Sequence, residues 1–154
     1  MTCTKPLSEC RLYAFVDTAY LGGRAPDRVA RELCDGGADL IQLRAKLSSR
    51  EEILRMAQAI LPVTRRAGVG LVINDHLSLA QAIGAEACHL GQEDFFGAGY
   101  EQVASLPCPL PPRPSALGPR PSTSDPQTRL RIGLSTHGPE QAKRALAAGA
   151  DYLG

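Results

Sequence analysis

Two aspartates follow two short apolar runs of the sequence, and this placement is the first indication of chemistry. Gly70 to Ile73 leads into Asn74 and Asp75, and Ala87 to Leu90 leads into Gly91 to Asp94. A short apolar run bounded by polar residues is typical of a buried strand. In parallel α/β folds the carboxyl ends of the strands form the edge that binds ligands. Carboxylate and amide oxygens at that edge indicate a hard cation such as Mg²⁺, together with a phosphorylated ligand.

A third run places positive charge at the end of another strand. Gln42, Arg44 and Lys46 alternate along the sequence, so on a strand their side chains point to one face. An amide, a guanidinium and an ammonium on one face suit a multiply charged anion such as diphosphate. The alternative is a solvated strand end, where Arg and Lys are common. Two aspartates at the ends of later strands favour the anion site, since diphosphates usually bind with Mg²⁺.

The composition limits the class of protein. A chain of 154 residues with 44% apolar and 21% charged residues indicates one globular domain. A net charge of +1 and few aromatic residues give no indication of nucleic-acid binding. No run is long enough to span a membrane, and Met1 to Cys10 lacks the apolar core of a signal peptide. Five cysteines without CxxC spacing favour a reducing cytoplasm over a disulfide framework.

The elements that must position these residues alternate between strand and helix. The patterns predict five strands and the start of a sixth: 12–16, 40–43, 71–73, 87–90, 132–134 and 152–154. They also predict five helices: 26–34, 51–67, 77–83, 100–105 and 139–148. Alternation of this kind implies a parallel sheet with right-handed crossovers, either doubly wound or in an eight-stranded barrel. No GxGxxG follows the first strand, so a dinucleotide-binding fold loses support.

A short repeat and a stretch of unusual composition define the organisation of the chain. Gly-Ala-Asp or Gly-Ala-Glu precedes a strand at 37–39, 84–86 and 149–151. The segment 107–127 is dense in Pro, Ser and Arg, and it predicts a flexible insertion rather than a proline-rich partner motif. We therefore divide the chain into an extension over residues 1–10 and a domain over 11–154 that carries this insertion.

Five motifs in the same order resemble the family of thiamine phosphate synthases and their thiazole-tautomerase relatives. The motifs are Leu40–Lys46, Ile73–Asp75, His89–Asp94, Ile132–His137 and Gly149–Gly154. The resemblance covers about Arg11 to Gly154 apart from the insertion. It implies a (β/α)₈ TIM barrel that joins a hydroxymethylpyrimidine diphosphate to a thiazole phosphate. Five motifs in order are specific, although each one alone is modest.

The resemblance also implies a role for each matching residue. The pyrimidine diphosphate would be held by Gln42, Leu43, Arg44, Ala45, Lys46 and Asn74, Ser135 would contact the pyrimidine, and Asp75 and Asp94 would bind Mg²⁺. In that family the diphosphate leaves first, so catalysis requires stabilisation of a leaving group rather than a protein nucleophile. His137 lies near a histidine that tautomerases use, but the synthases carry it too. Asn74–Asp75 and Gln92–Asp94 favour the synthase over the tautomerase, which does not need a Mg²⁺–diphosphate site.

The family pattern continues beyond Gly154 with a loop that carries a lysine and with two further strands. A barrel cut inside its sixth strand leaves an open sheet edge and exposed apolar faces. We therefore expect an incomplete barrel, a fragment with little synthase activity alone unless a homo-oligomer or a second chain restores it. Two alternatives stay open: a tautomerase-like enzyme, which needs no Mg²⁺, and a non-catalytic partial barrel that binds a phosphorylated metabolite.

Overall fold

The computed structural model of the protein describes residues 5–107 and 129–154. Its strands are β1 (Tyr13–Asp17), β2 (Leu40–Arg44), β3 (Gly70–Asn74), β4 (Ala87–Leu90), β5 (Arg131–Leu134) and β6 (Tyr152–Leu153). Its α-helices are α1 (Pro26–Asp35), α2 (Arg50–Ala67), α3 (Leu77–Ile83), α4 (Gln92–Gly97) and α5 (Pro139–Ala147). The six strands form one parallel sheet in chain order. This architecture confirms the predicted partial TIM barrel.

The clearest predicted helix shows why sequence patterns locate these elements well. Ser49 caps α2: its hydroxyl accepts from the Glu52 amide at 3.2 Å, and the Glu52 carboxylate accepts from the Ser49 amide at 2.7 Å. Gly68 ends the helix with a left-handed φ of 71°. No helix in the described ranges has the length and apolarity required to cross a membrane.

The fourth predicted helix is wrong. A helix over 100–105 was expected, but α4 begins directly after β4 at Gln92 and ends at Gly97. Glu93 and Asp94 in its first turn favour a helix start there, because carboxylates stabilise the positive end of the helix dipole. Gly99 then takes a φ of 84°, which stops the helix. Only a short 3₁₀ turn, Val103–Ser105, forms in the predicted region. The predicted insertion at 107–127 lies, apart from Pro107, outside the described residues.

The two faces of the sheet pack differently. On the helix side a large core includes Val16, Ile41, Leu71, Ile73 and Leu134, all at most 2% exposed. The residues that alternate with them point to the other, concave face. That face carries a small separate cluster of three buried residues, Leu40, Val72 and Ala87. Tyr13 and Tyr152 pack against this cluster. The concave face corresponds to a barrel interior, and only part of it is apolar.

The acidic residues of the repeat fasten the amino-terminal edge of the sheet. Asp39, just before β2, accepts hydrogen bonds from the backbone amides of Arg11 and Leu12 at 2.8 and 3.1 Å. Asp151, before β6, accepts from the amide of Ile132 at 2.8 Å. Glu86, before β4, pairs with Arg131 at 2.6 Å. Each acid therefore ties the start of one strand to the start of its neighbour.

Candidate functional site

The opposite, carboxyl-terminal edge of the sheet gathers the residues that the sequence singled out. Gln42 and Arg44 lie on β2, Asn74 ends β3, and Ser135 follows β5. Lys46, Asp75 and Asp94 occupy the segments just beyond β2, β3 and β4. Because these strands pair in parallel, one after another, their carboxyl ends form one continuous edge. The structure thus brings these seven residues to a single side of the sheet.

The side chains of Leu43 and Ala45 lie elsewhere. Both are buried in the helix-side core, with exposed fractions of 1% and 5%. Their position follows from the alternation of a strand, which turns every second side chain away from the concave face. Any contact that these two residues make with a ligand at the edge would therefore involve backbone atoms.

Arg44 is held by an acid that the sequence did not single out for the site. Its Nη1 lies 2.5 Å from Oδ2 of Asp17, the residue that ends β1. Burial raises the pKa of Asp17, but the Ala19 amide, Arg44 and the nearby charge of Lys46 outweigh it and lower that pKa. Asp17 is therefore a carboxylate that orients Arg44, whose side chain is still 35% exposed. Lys46 is exposed.

Gln42 reaches into the concave face and is almost fully buried, at 3% exposure. Its Nε2 donates to the hydroxyl of Tyr13 at 2.6 Å, and that hydroxyl lies 3.1 Å from the hydroxyl of Tyr152. Burial raises the pKa of both tyrosines. The chain thus holds an amide and two neutral phenols in a line across the barrel interior.

Asp75 has an unusual backbone. Its φ is 63°, the only left-handed value for a non-glycine residue in the described part of the chain. Its amide donates to the carbonyl of His89 at 2.8 Å, and the Nδ2 of Asn74 donates to its Oδ2 at 2.5 Å. Sparsely populated backbone conformations cluster at functional sites, where the surrounding structure holds them. The neighbouring strand β4 therefore fixes the carboxylate of Asp75 at the edge.

Asp94 lies in the first turn of α4, one strand further along. Its carboxylate folds back over Gly91, so a Cβ at position 91 would lie 2.7 Å from its Oδ2. Neither Asp75 nor Asp94 forms a salt bridge with another described residue. Two exposed oxygen donors without a cationic partner fit Mg²⁺, which takes one or two carboxylates and completes its shell with water and phosphate. Within residues 5–107 and 129–154, no group of three or more His, Cys, Asp or Glu forms a complete metal cage.

Ser135 is held from two sides. Its hydroxyl lies 2.9 Å from Nε2 of His89, and its carbonyl accepts from Nε2 of Gln92 at 3.1 Å. Gln92 also donates to the carbonyl of Gln141 at 2.9 Å, which joins the end of β5 to α5. Burial lowers the pKa of His89, and the charge of Asp75 opposes this only in part. By contrast, the His137 side chain is exposed.

The predicted site residues did not include five members of this network: Tyr13, Asp17, His89, Gln92 and Tyr152. The signal for Tyr13 and Asp17 was their alternation on β1, which places both on the concave face with Gln42 and Arg44. Tyr152 had no such signal, because its contact with Tyr13 depends on how strongly the whole sheet curls.

A family model described as thiamine monophosphate synthase matches residues 12–102 of the chain. The thiamine-phosphate synthase of Herpetosiphon aurantiacus is 42% identical over 144 residues, which is 94% of this chain and 58% of that protein. The one of Methanoregula boonei is 36% identical over 142 residues, or 92% of this chain and 56% of that protein. The chain therefore spans a little over half the length of these curated relatives.

A solved structure shares the fold. It is a thiamine phosphate pyrophosphorylase from Pyrococcus furiosus, with a TM-score of 0.64 and 24% sequence identity. The alignment covers 94% of this chain and 59% of that one. The match confirms a six-stranded partial barrel. The family model covers more than half of the chain. On these grounds the chain belongs to the thiamine monophosphate synthase family.

Proposed function

We propose that the chain binds hydroxymethylpyrimidine diphosphate with Mg²⁺ and carries the diphosphate half of a thiamine phosphate synthase site. The observation that carries this proposal is the placement of two cations and two aspartates at one sheet edge: Arg44, Lys46, Asp75 and Asp94. Neither aspartate forms an ion pair within the described part of the chain. The relatives named above are thiamine-phosphate synthases, which supports the choice of substrate.

The anion half of the site rests on Arg44 and Lys46. Asp17 engages one terminal nitrogen of Arg44, so the guanidinium is oriented before a ligand arrives and its other N–H groups stay available. Lys46 adds a second, mobile charge beyond the end of β2. A guanidinium and an ammonium together suit the oxygens of a diphosphate, which carries more charge than one cation can neutralise.

The metal half rests on Asp75 and Asp94, with Asn74 oriented onto Asp75. Asp75 and Asp94 would hold Mg²⁺, which would supply positive charge to neutralise the leaving group. The chain itself contributes rigidity: β4 holds Asp75 through a backbone hydrogen bond, and Asp94 lies against Gly91 at the start of α4. Fixed charges of this kind need no rearrangement as the diphosphate departs.

The pyrimidine would lie against the concave face, next to Gln42 and Ser135. Gln42 is fixed by Tyr13, and Ser135 by His89 and Gln92, so both polar groups are held in place. In this proposal the loss of diphosphate leaves a pyrimidine cation, which the nitrogen of a thiazole phosphate traps to give thiamine phosphate. No side chain has to act as a nucleophile.

Titration calorimetry with the pyrimidine diphosphate, with and without Mg²⁺, tests the binding step. We expect binding that requires Mg²⁺ and that weakens at least tenfold in Asp75→Asn and in Asp94→Asn, since charge-assisted contacts are the strong ones. Asparagine is the suitable replacement at position 75 because it tolerates a left-handed backbone. Asp35→Asn, an exposed aspartate in α1, is the matched control and should bind like the wild type.

Two outcomes would contradict the proposal. Equal affinity with and without Mg²⁺ would favour a tautomerase-like site instead. Affinity that is unchanged in both Asp75→Asn and Asp94→Asn would exclude these two carboxylates as the metal half of the site. Formation of thiamine phosphate and diphosphate in stoichiometric amounts would support the synthase reaction.

A further inference from the structure

The His89 ring is the most unusual polar group on the concave face. The residue is only 9% exposed, and its two ring nitrogens differ sharply. Nε2 lies 2.9 Å from the hydroxyl of Ser135, whereas Nδ1 is buried and has no hydrogen-bond partner among the described residues. Buried polar atoms without partners are rare, and each asks for an explanation.

The ring is also held firmly in place. It packs against the Tyr152 ring with 5.6 Å between centroids and an interplanar angle of 33°. On another side it meets the backbone of Gly154, where an added Cβ would lie 2.8 Å from Cε1 of the histidine. His89 also pairs in register with Asn74 on β3 and with Gly133 on β5. Tyr152 and Gly154 therefore hold the ring in addition to Ser135.

The unpartnered Nδ1 selects one protonation state of the ring. A proton on Nδ1 would bury an N–H donor that has no acceptor within residues 5–107 and 129–154, and this holds for the charged ring and for the neutral Nδ1–H tautomer alike. A bare Nδ1 buries only an acceptor, which folded proteins tolerate more often than a lone donor. The proton then lies on Nε2, so His89 donates to the oxygen of Ser135.

We propose that His89 is a positioning residue that fixes Ser135 as a hydrogen-bond donor toward the ligand. Its Nε2–H occupies a lone pair of the Ser135 hydroxyl, so the hydroxyl proton points to an acceptor outside the pair. A ring nitrogen of an aromatic heterocycle is such an acceptor, whereas an exocyclic amino group is not. The ligand assignment rests on the proposed function, but the tautomer does not.

The first test needs no ligand. Long-range proton–nitrogen NMR of the chain, with ¹⁵N-labelled histidine, distinguishes a protonated from a bare ring nitrogen. We expect a bare Nδ1 and a protonated Nε2 at neutral pH, assigned to His89 by the loss of the signals in His89→Gln. A protonated Nδ1 would overturn the inference, whichever ligands the chain binds.

The second test measures discrimination between ligands. Pyrimidine diphosphate is compared, with Mg²⁺, with two analogues in which one ring nitrogen is replaced by C–H. In the wild type we expect one analogue to bind roughly three- to tenfold more weakly, the range for one neutral hydrogen bond. Ser135→Ala should bind that analogue and the parent equally. Equal binding of all three ligands by the wild type would contradict the donor role of Ser135.

A matched pair of histidine variants separates positioning from folding. The amide nitrogen of glutamine reaches about as far as Nε2, and that of asparagine only about as far as Nδ1. His89→Gln should therefore keep the discrimination, while His89→Asn should lose it with a similar melting temperature. The reverse order would overturn the proposal. A wild type that binds no pyrimidine but shows the expected tautomer would contradict only the proposed function.

Discussion

The hydroxyl oxygens of Tyr13 and Tyr152 lie 3.1 Å apart, although Tyr13 belongs to the first strand of the sheet and Tyr152 to the last. Their ring centroids are 5.9 Å apart and meet edge to face. Such a contact is impossible across a flat sheet of six strands, whose edges would lie more than 20 Å apart at about 4.8 Å per strand. The sheet therefore curls until its two edge strands touch through their side chains.

Removal of the Tyr13 hydroxyl should cost more stability than removal of the Tyr152 hydroxyl. In Tyr13→Phe the buried amide of Gln42 loses its acceptor, which costs about 1–3 kcal/mol, whereas Tyr152→Phe removes one hydrogen bond worth roughly 1 kcal/mol. Urea denaturation measures both. Tyr20→Phe, at a tyrosine that is 79% exposed, is the control and should be neutral. A Tyr13→Phe variant as stable as this control would show that the hydrogen bonds of the Tyr13 hydroxyl do not stabilise the fold.

Gly133 should not tolerate a side chain. A Cβ there would overlap the ring of Tyr152, so the tyrosine or the β6 strand must move. We expect Gly133→Ala to lower the free energy of unfolding by about 1–3 kcal/mol, the usual range for overpacking. The Gly97→Ala variant provides the comparison, because a Cβ at the end of α4 meets nothing within 4 Å. Thermal melts that rank the two variants equally would contradict the packing.

Asp39 should make stability depend on acid pH. Hydrogen bonds from Lys5, Arg11 and Leu12 lower the pKa of Asp39 to about 2. A carboxyl group with a lowered pKa contributes stability above its unfolded pKa of about 3.9, and the contribution is lost as the pH falls toward the folded value. The melting temperature of Asp39→Asn should therefore lie below that of the wild type at pH 6, and the gap should close between pH 4 and pH 2. If the difference in melting temperature stays constant with pH, the ionisation of Asp39 is not its cause.

The backbone of Asp75 predicts a conflict between stability and ligand binding. A left-handed φ costs a non-glycine residue about 1 kcal/mol, and glycine nothing. Asp75→Gly should therefore be at least as stable as the wild type, and Asp75→Ala less stable than Asp75→Gly by about that amount. Both should lose Mg²⁺-dependent binding of the pyrimidine diphosphate. If Asp75→Gly unfolds at lower urea concentration than Asp75→Ala, the left-handed backbone is not what limits stability here.

Local patterns predicted most of the fold. The predicted first and last residues of β4 and α3 are those that the structure shows. The ends of the other strands were predicted to within one or two residues. The fourth helix was misplaced because Gln92 to Gly97 is too short to show a helical period, whereas Tyr100 to Ser105 lacks glycine. A glycine with a left-handed φ can end a helix, as Gly99 does just after α4.

The sequence predicts which residues lie at the ligand-binding edge, because this depends only on the direction of the strands. Asp75, Asp94 and Arg44 could be placed at one edge because parallel strands all end on the same side. The partners of these residues could not be predicted in the same way. The Arg44–Asp17 pair requires the register of β1 on β2, and the His89–Ser135 contact requires that of β4 on β5. Sequence periodicity contains neither register.

The acid fastenings at the amino-terminal edge have a consequence for how the molecule can change. The carboxylates of Asp39, Glu86 and Asp151 bind groups at the start of a neighbouring strand. These contacts lie at the end of each strand that is farthest from Asp75 and Asp94. These three fastenings thus lie about one strand length from the ligand-binding edge. Substitutions that strengthen them can raise heat resistance without changing a residue that contacts the ligand.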